Sequence, residues 1–183
     1  MSFRKEEKIE TTFYQQKILL NKIIELGGKL LFPPRKISSV YFDNKNFEMF
    51  NESEEGILPR KKIRIRNYHN EKKNYNLEYK ISSFEGKFKI SNKLDLNSFN
   101  RYLKKGYIDE KYGICYPIIQ ITYDRNYYIL NDLRITFDDN IRYQNFNSKL
   151  KILDEAGVVE LKSQTDGEIE EIDKTLPLTR KRF

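Results

Sequence analysis

The sequence predicts an α+β fold in which a mostly antiparallel sheet curls its charged face around a polar lumen and covers its apolar face with helices. Three observations lead there. First, four stretches place charged residues at every second position with apolar residues between them: Arg60 to Arg66, Leu77 to Ile81, Arg134 to Asp138 and Val159 to Lys162. Successive side chains of a strand leave opposite faces, so Arg60, Lys62, Arg64 and Arg66 share one face while Ile63 and Ile65 share the other. Second, three of these stretches repeat charge at adjacent same-face positions. Like charges opposed across strands are destabilising, so an anion is expected among them. Thr, Ser and Gln would serve an ordinary half-solvated sheet equally well, and that plainer arrangement is the alternative. Third, 33% of the 183 residues are charged and 14% aromatic, too rich in Tyr and Phe for a disordered chain. One domain over residues 1–183 is expected, long enough to bury a core.

The elements follow in order. Residues 3–11 alternate weakly as a first strand carrying Arg4, Glu6 and Lys8 on one face. From Thr12 to Leu26 the apolar positions Ile18, Leu19, Ile23 and Leu26 recur at helical spacing, and Gly27-Gly28 stops the helix. Phe32-Pro33-Pro34 reads as a loop, Ser38 to Asp43 as a strand, and Asn44 to Asn51 as a turn or short helix. Glu52 to Gly56 reads as a solvated connection before strands near 60–68, 75–83 and 86–93. The last two are joined at Phe84-Glu85-Gly86. Asp95 caps a helix to Lys105. Strands near 118–129 and 132–143 form a hairpin through Asn131-Asp132, and a last strand falls near 157–163.

Charge and cysteine content narrow the function. Lys plus Arg number 34 against 27 Asp plus Glu, a net charge of +7, which points to an anionic partner such as nucleic acid, phosphate or an acidic membrane surface. A surface nucleic-acid binder would interleave its basic residues with aromatic ones, but here Ile, Leu and Val intervene, so no specific nucleic acid is expected. The single Cys115 excludes an internal disulfide and a cysteine metal cage. No apolar run approaches the ~20 residues that cross a bilayer, and the start lacks the apolar core of a signal peptide. A cytoplasmic protein is expected, with a membrane-bound partner left open.

Six motifs then occur in a fixed order: Val40-Tyr-Phe-Asp43, Arg60-x-Lys62-x-Arg64-x-Arg66-x-Tyr68, Leu77-Glu78-x-Lys80, Tyr123-Asp-Arg125, Leu133-Arg134-Ile-Thr-Phe-Asp138 and Val159-Glu160-Leu-Lys162. Together they resemble the VTC domain, the catalytic domain of vacuolar transporter chaperone polyphosphate polymerases and of bacterial stand-alone relatives. The resemblance runs from Arg4-x-Glu6-x-Lys8 to about Lys162. It implies membership of the triphosphate tunnel metalloenzymes, with an antiparallel eight-stranded β-barrel tunnel and covering helices.

By the same resemblance Lys8, Arg64, Arg66, Lys80, Arg125 and Arg134 line the tunnel and grip phosphates. Arg60, Lys62 and Lys162 share those faces as further phosphate contacts. Glu160 resembles the family's metal-binding carboxylate, assisted by Glu6 and Glu78, and oxygen ligands suit Mn²⁺ or Mg²⁺. The implied activity is transfer of the γ-phosphate of ATP to a growing polyphosphate chain. The alternatives are hydrolysis of inorganic or nucleoside triphosphate, and a non-catalytic module binding polyphosphate or RNA. VTC domains also carry a basic Ser-Lys-Tyr segment near the C-terminus, whereas this sequence ends at Arg182-Phe183, where that segment would begin.

Plainer readings stand beside these. Glu78 with Lys80, and Glu160 with Lys162, would as surface ion pairs contribute roughly 0–1 kcal/mol each. Asp138 either faces the lumen or starts a turn, Tyr41 and Asp43 either touch ligand or are buried hydrogen-bonding groups, His69 is solvated, and Cys115 is a small core residue.

Overall fold

The computed structural model describes residues 5–68 and 74–163, so the readings of Arg4, of His69 and of the segment ending at Arg182-Phe183 lie outside the described residues. In chain order the elements are β1 (Lys5–Thr11), α1 (Phe13–Glu25), β2 (Lys29–Asp43), α2 (Glu48–Glu54), β3 (Arg60–Tyr68), β4 (Tyr75–Ser83) and β5 (Gly86–Leu94). They continue with α3 (Leu96–Lys105), β6 (Tyr107–Asp109), β7 (Gly113–Leu130), β8 (Leu133–Asn145), β9 (Lys151–Leu153) and β10 (Gly157–Ser163). Eight strands hydrogen-bond in the order β1-β10-β8-β7-β2-β3-β4-β5, while β6 pairs with β7 and β9 with β8. The fold class is the expected one: α+β, with eight antiparallel strands on this path and, among the described residues, three helices. The described residues fall into two compact units. One is drawn from residues 5–36, 123–141 and 153–163, the other from residues 37–68, 74–122 and 142–152.

In the first unit, Ile9, Leu133, Ile135, Phe137, Val159 and Leu161 come from the apolar faces of β1, β8 and β10, and α1 adds Leu19 and Ile23. Burying these side chains is the main stabilising term here, roughly 1.5–3 kcal/mol for each fully buried aliphatic residue. The start of α1 is fixed by a capping box, in which the Gln15 amide N–H donates to Thr12 Oγ1 at 3.2 Å and the Thr12 N–H donates to Gln15 Oε1 at 2.8 Å. At its end the chain folds back so closely that a Cβ on Gly28 would stand 2.7 Å from the Ile23 carbonyl oxygen, which leaves room only for glycine.

In the second unit, Val40, Phe42, Ile63, Ile65 and Leu77 form the core with Met49 of α2, and Phe99, Tyr102 and Leu103 of α3 pack against them. Asp95 caps α3 as expected, accepting the Ser98 N–H at 2.7 Å. Asp43 anchors α2, its Oδ1 accepting the N–H groups of Asn44 at 2.8 Å and Met49 at 3.1 Å while Oδ2 accepts that of Phe50 at 2.9 Å. Asp43 therefore joins the end of β2 to the start of α2, and its carboxylate is spent on backbone.

Cys115 is fully buried, and burial together with the charges of Asp109 and Asp43 pushes its thiol up to about 12. The thiolate is the reactive form. Folded protein at pH 8 should therefore leave a colourimetric disulfide reagent unreacted, with one equivalent released on denaturation; rapid reaction of the folded chain would contradict this burial.

Three boundaries differ from the sequence expectation. The segment Phe32-Pro33-Pro34 lies within β2, not in a loop. Proline cannot donate to a ladder, but both prolines sit in an exposed part of the strand where that loss is tolerated. Helix α2 extends through Glu52 and Glu54, read above as a solvated connection, because Asp43 satisfies N–H groups of its first turn. The short strands β6 and β9 were not expected, and β7 begins at Gly113, before 118.

Candidate phosphate and metal site

The first unit brings Glu6, Lys8, Arg125, Arg134, Glu160 and Lys162 onto one face. Register sets Lys8 opposite Glu160 and Glu160 opposite Thr136; in the next row Glu6 faces Lys162 and Lys162 faces Arg134. Glu160, 5% exposed, stands 3.3 Å from Lys162 Nζ, 3.8 Å from Arg125 Nη1 and 3.9 Å from Lys8 Nζ. Burial alone would raise the Glu160 carboxyl. A hydrogen bond shared with Glu6 and the charges of Lys162, Lys8 and Arg125 outweigh it and hold the group near 2. Glu6 also meets Lys162 at 3.2 Å.

Arg125 makes a fork to Asp138, Nε to Oδ1 at 2.5 Å and Nη2 to Oδ2 at 2.5 Å, and its Cζ lies 5.2 Å from the Tyr123 ring centroid. The guanidinium stays charged, its protonation favoured by Asp138 despite burial. Asp138 is thus a buried strand residue of the charged face, not the start of a turn. Arg134 Nε is buried with no hydrogen-bond partner, and its Cζ stands 5.7 Å from the Tyr127 ring.

The second unit assembles Arg60, Lys62, Arg64, Arg66, Lys80 and Glu78. Four rows run across the strands: Ser39, Arg66, Asn76 and Lys93; Tyr41, Arg64, Glu78 and Ser91; Lys62, Lys80 and Lys89; Arg60, Ser82 and Lys87. Arg64 and Glu78 are buried at 6% and 2% exposure. Arg64 Nε donates to Glu78 Oε2 at 2.7 Å, Nη2 approaches the same oxygen at 2.6 Å, and Nη1 donates to Tyr41 Oη at 3.0 Å. Lys89 holds the other oxygen of Glu78 at 2.6 Å. Arg66 Nε donates to Ser39 Oγ at 3.1 Å. Burial would raise the Tyr41 phenol, but Arg64, Arg66 and Lys80 together bring it below its ordinary value.

The row Lys62, Lys80 and Lys89 places three exposed lysines at directly opposed positions, an arrangement that favours an anion beside them, and Lys89 already meets Glu78. Strand β5 adds Lys87, Lys89 and Lys93 to this face, none of them singled out from the sequence. Their signal was present as Lys87-x-Lys89-x-Ser91-x-Lys93, the same alternation that marks β3.

Among the described residues no group of three or more His, Cys, Asp or Glu could hold a metal ion unaided. The Glu6 and Glu160 carboxylates, both within 3.3 Å of Lys162 Nζ, form a two-carboxylate donor set. That suits Mg²⁺ or Mn²⁺, which take one or two carboxylates and complete their shell with water and phosphate oxygens. Glu78 lies in the other unit with both oxygens engaged by cations. Its place is to hold Arg64.

The VTC domain family model matches residues 32–179. No curated protein matches the chain. Among solved structures, a putative adenylate cyclase from Bacillus halodurans is similar with a TM-score of 0.65 at 12% identity, covering 100% of this chain and 95% of that one. A putative adenylate cyclase from Vibrio parahaemolyticus gives 0.58 at 12% identity, over 97% of this chain and 93% of that one. A putative adenylyl cyclase from Hippeastrum, described as having a dominant triphosphatase activity, gives 0.59 at 10% identity over 94% and 85%. At these identities the likeness is one of fold. Among the described residues no helix is long and apolar enough to cross a membrane.

Proposed function

The chain belongs to the VTC domain family, and from that premise we propose that it is a divalent-metal-dependent phosphoryl transferase that moves the γ-phosphate of ATP onto a polyphosphate chain. The observation that carries the reading is the buried pair Arg64 and Arg66 beside the half-buried Tyr41, with Glu78 fixing the arginine fork. Burying such cations at strand positions is costly unless an anion shares the face.

In this reading Arg64, Arg66 and Lys80 hold phosphate oxygens in the second unit, with Arg60, Lys62 and the β5 lysines extending the cationic face. In the first unit Lys8, Arg125, Arg134 and Lys162 do the same around Glu160. A divalent cation bound by Glu160 and Glu6 would neutralise charge on the phosphate oxygens. Phosphoryl transfer asks the protein for alignment and charge stabilisation, with no covalent protein intermediate. A terminal phosphate oxygen of the acceptor attacks the γ-phosphorus, the bond to the β–γ bridging oxygen breaks, and ADP leaves with that electron pair. Buried guanidinium groups, whose dipoles need not reorient, stabilise the growing charge.

A second reading, hydrolysis of a triphosphate by the same groups with water as acceptor, is favoured by the fold neighbour described as a triphosphatase. Incubation with ATP and Mn²⁺, with products resolved into ADP, free phosphate and long chains, separates the two. Chains accumulating with matching ADP support the polymerase. Free phosphate without chains gives the triphosphatase, and tight polyphosphate binding with no turnover leaves a binding module.

A further inference from the structure

One cluster of the first unit has no part in the phosphate chemistry above. Phe32 of β2 is 40% exposed, and its ring meets that of Tyr127 edge-on, with centroids 5.6 Å apart and planes at 85°. Arg35 Cζ stands 5.4 Å from the Phe32 centroid and 5.8 Å from that of Tyr127. Tyr127 is buried and also carries Arg134, whose Cζ is 5.7 Å from its ring. A buried tyrosine thus links an exposed, oriented aromatic ring to an arginine of the charged face, and that arginine has a buried Nε with no hydrogen-bond partner.

Exposed apolar rings are common and need no explanation singly. Phe32 differs in being held from two sides, by the Tyr127 ring edge and by the Arg35 guanidinium, so its orientation is set before any ligand arrives. Aromatic faces and guanidinium planes are the two surfaces on which nucleic-acid bases stack. Arg134 and Phe32 both lie against one ring, and so are separated by less than the extended length of a nucleotide. We propose that Phe32 and Arg35, oriented by the buried Tyr127, seat the base of a nucleoside triphosphate whose phosphates Arg134 contacts. The cluster then distinguishes a nucleotide from inorganic triphosphate, which has no ring to stack. It would select weakly between bases, because every base has a π face and no side chain of the cluster reads a Watson–Crick edge in these contacts. This inference rests on the phosphate-binding reading above.

The test compares ATP with inorganic triphosphate, titrated calorimetrically in EDTA so that neither turns over. Phe32→Ala should weaken ATP binding by about tenfold, within the range found when a stacking aromatic is truncated, and leave inorganic triphosphate within twofold. Phe32→Trp should restore ATP affinity, which a loss of fold would not allow. Equal weakening of both anions, or no change for ATP, overturns the base seat while leaving the phosphate reading intact. Binding of neither anion by the unsubstituted chain overturns both.

Discussion

Glu160→Gln should reduce metal-dependent turnover by about 10²-fold or more while leaving polyphosphate binding in place or tighter. A bound cation contributes several kcal/mol of charge stabilisation, and each ~1.4 kcal/mol is a tenfold change in rate. The substitution removes the carboxylate best placed to hold that cation, yet Lys8, Lys162 and Arg125 remain around the site with one less negative charge among them. Turnover should therefore fall with no loss of anion affinity, which general damage to the fold does not produce. Turnover rates across a Mn²⁺ series, with polyphosphate titrations on the same samples, measure both; unchanged turnover would remove Glu160 from the metal site.

The same variant has a pH signature. The folded Glu160 carboxyl is held near 2 against an ordinary 4.5. Its stabilising contribution is present above the ordinary value and is lost as pH falls through the depressed one. The stability gap between unsubstituted protein and Glu160→Gln should be flat above pH ~5 and close between about 4.5 and 2.

The second large effect separates two neighbouring arginines. Arg66→Ala should weaken triphosphate binding by about 10- to 100-fold, the value of one hydrogen bond to a charged group. Arg64→Ala should do that and also destabilise the fold by about 3–5 kcal/mol, because it strips the buried Glu78 of one of the two cations 2.6 Å from it. Adding Glu78→Gln to Arg64→Ala should recover much of the stability but none of the affinity. Chemical denaturation and calorimetry on the three variants decide this. Recovery of affinity in the double variant would show that Arg64 acts through Glu78 and not on phosphate.

Period-two alternation of charge identified β3, β4, β8 and β10 and the face that each charged residue takes, and the Thr12 and Asp95 boundaries were legible from capping chemistry. Glu78, Arg64 and Glu160 are buried, unlike residues of a plainly solvated face, whereas Lys8, Lys62, Lys80 and Lys89 on the same faces are exposed. Partnership was harder, since it depends on register. Some of it was nonetheless available: a two-residue turn at Asn131 and Asp132 sets Leu130 opposite Leu133, and counting back brings Arg125 opposite Asp138. Asn131 has a φ of 52°, the left-handed conformation such turns require. The Phe84-Glu85 turn likewise pairs Lys80 with Lys89, as observed. What the sequence could not show was closure between distant segments. Lys8 meets Glu160 only because β1 pairs with β10, and Phe32 reaches Tyr127 only through strand pairing around two prolines whose motif suggested a loop.

That distant pairing governs the order in which the molecule can be made. Strands β3, β4 and β5 are neighbours along the chain and pair through short connections, whereas Thr11 and Gly157, partners in β1 and β10, are 146 residues apart. Long-range pairing incurs its loop-closure entropy before any contact compensates it, so it forms late. On a ribosome, the meander of β3 to β5 has all its partners once Leu94 has emerged, while β1 waits with its edge unpaired until Ser163 is free. The cluster of Glu6, Lys8, Glu160 and Lys162 therefore cannot form in a nascent chain before β10 has emerged. Whatever chemistry it performs begins only once β10 has paired.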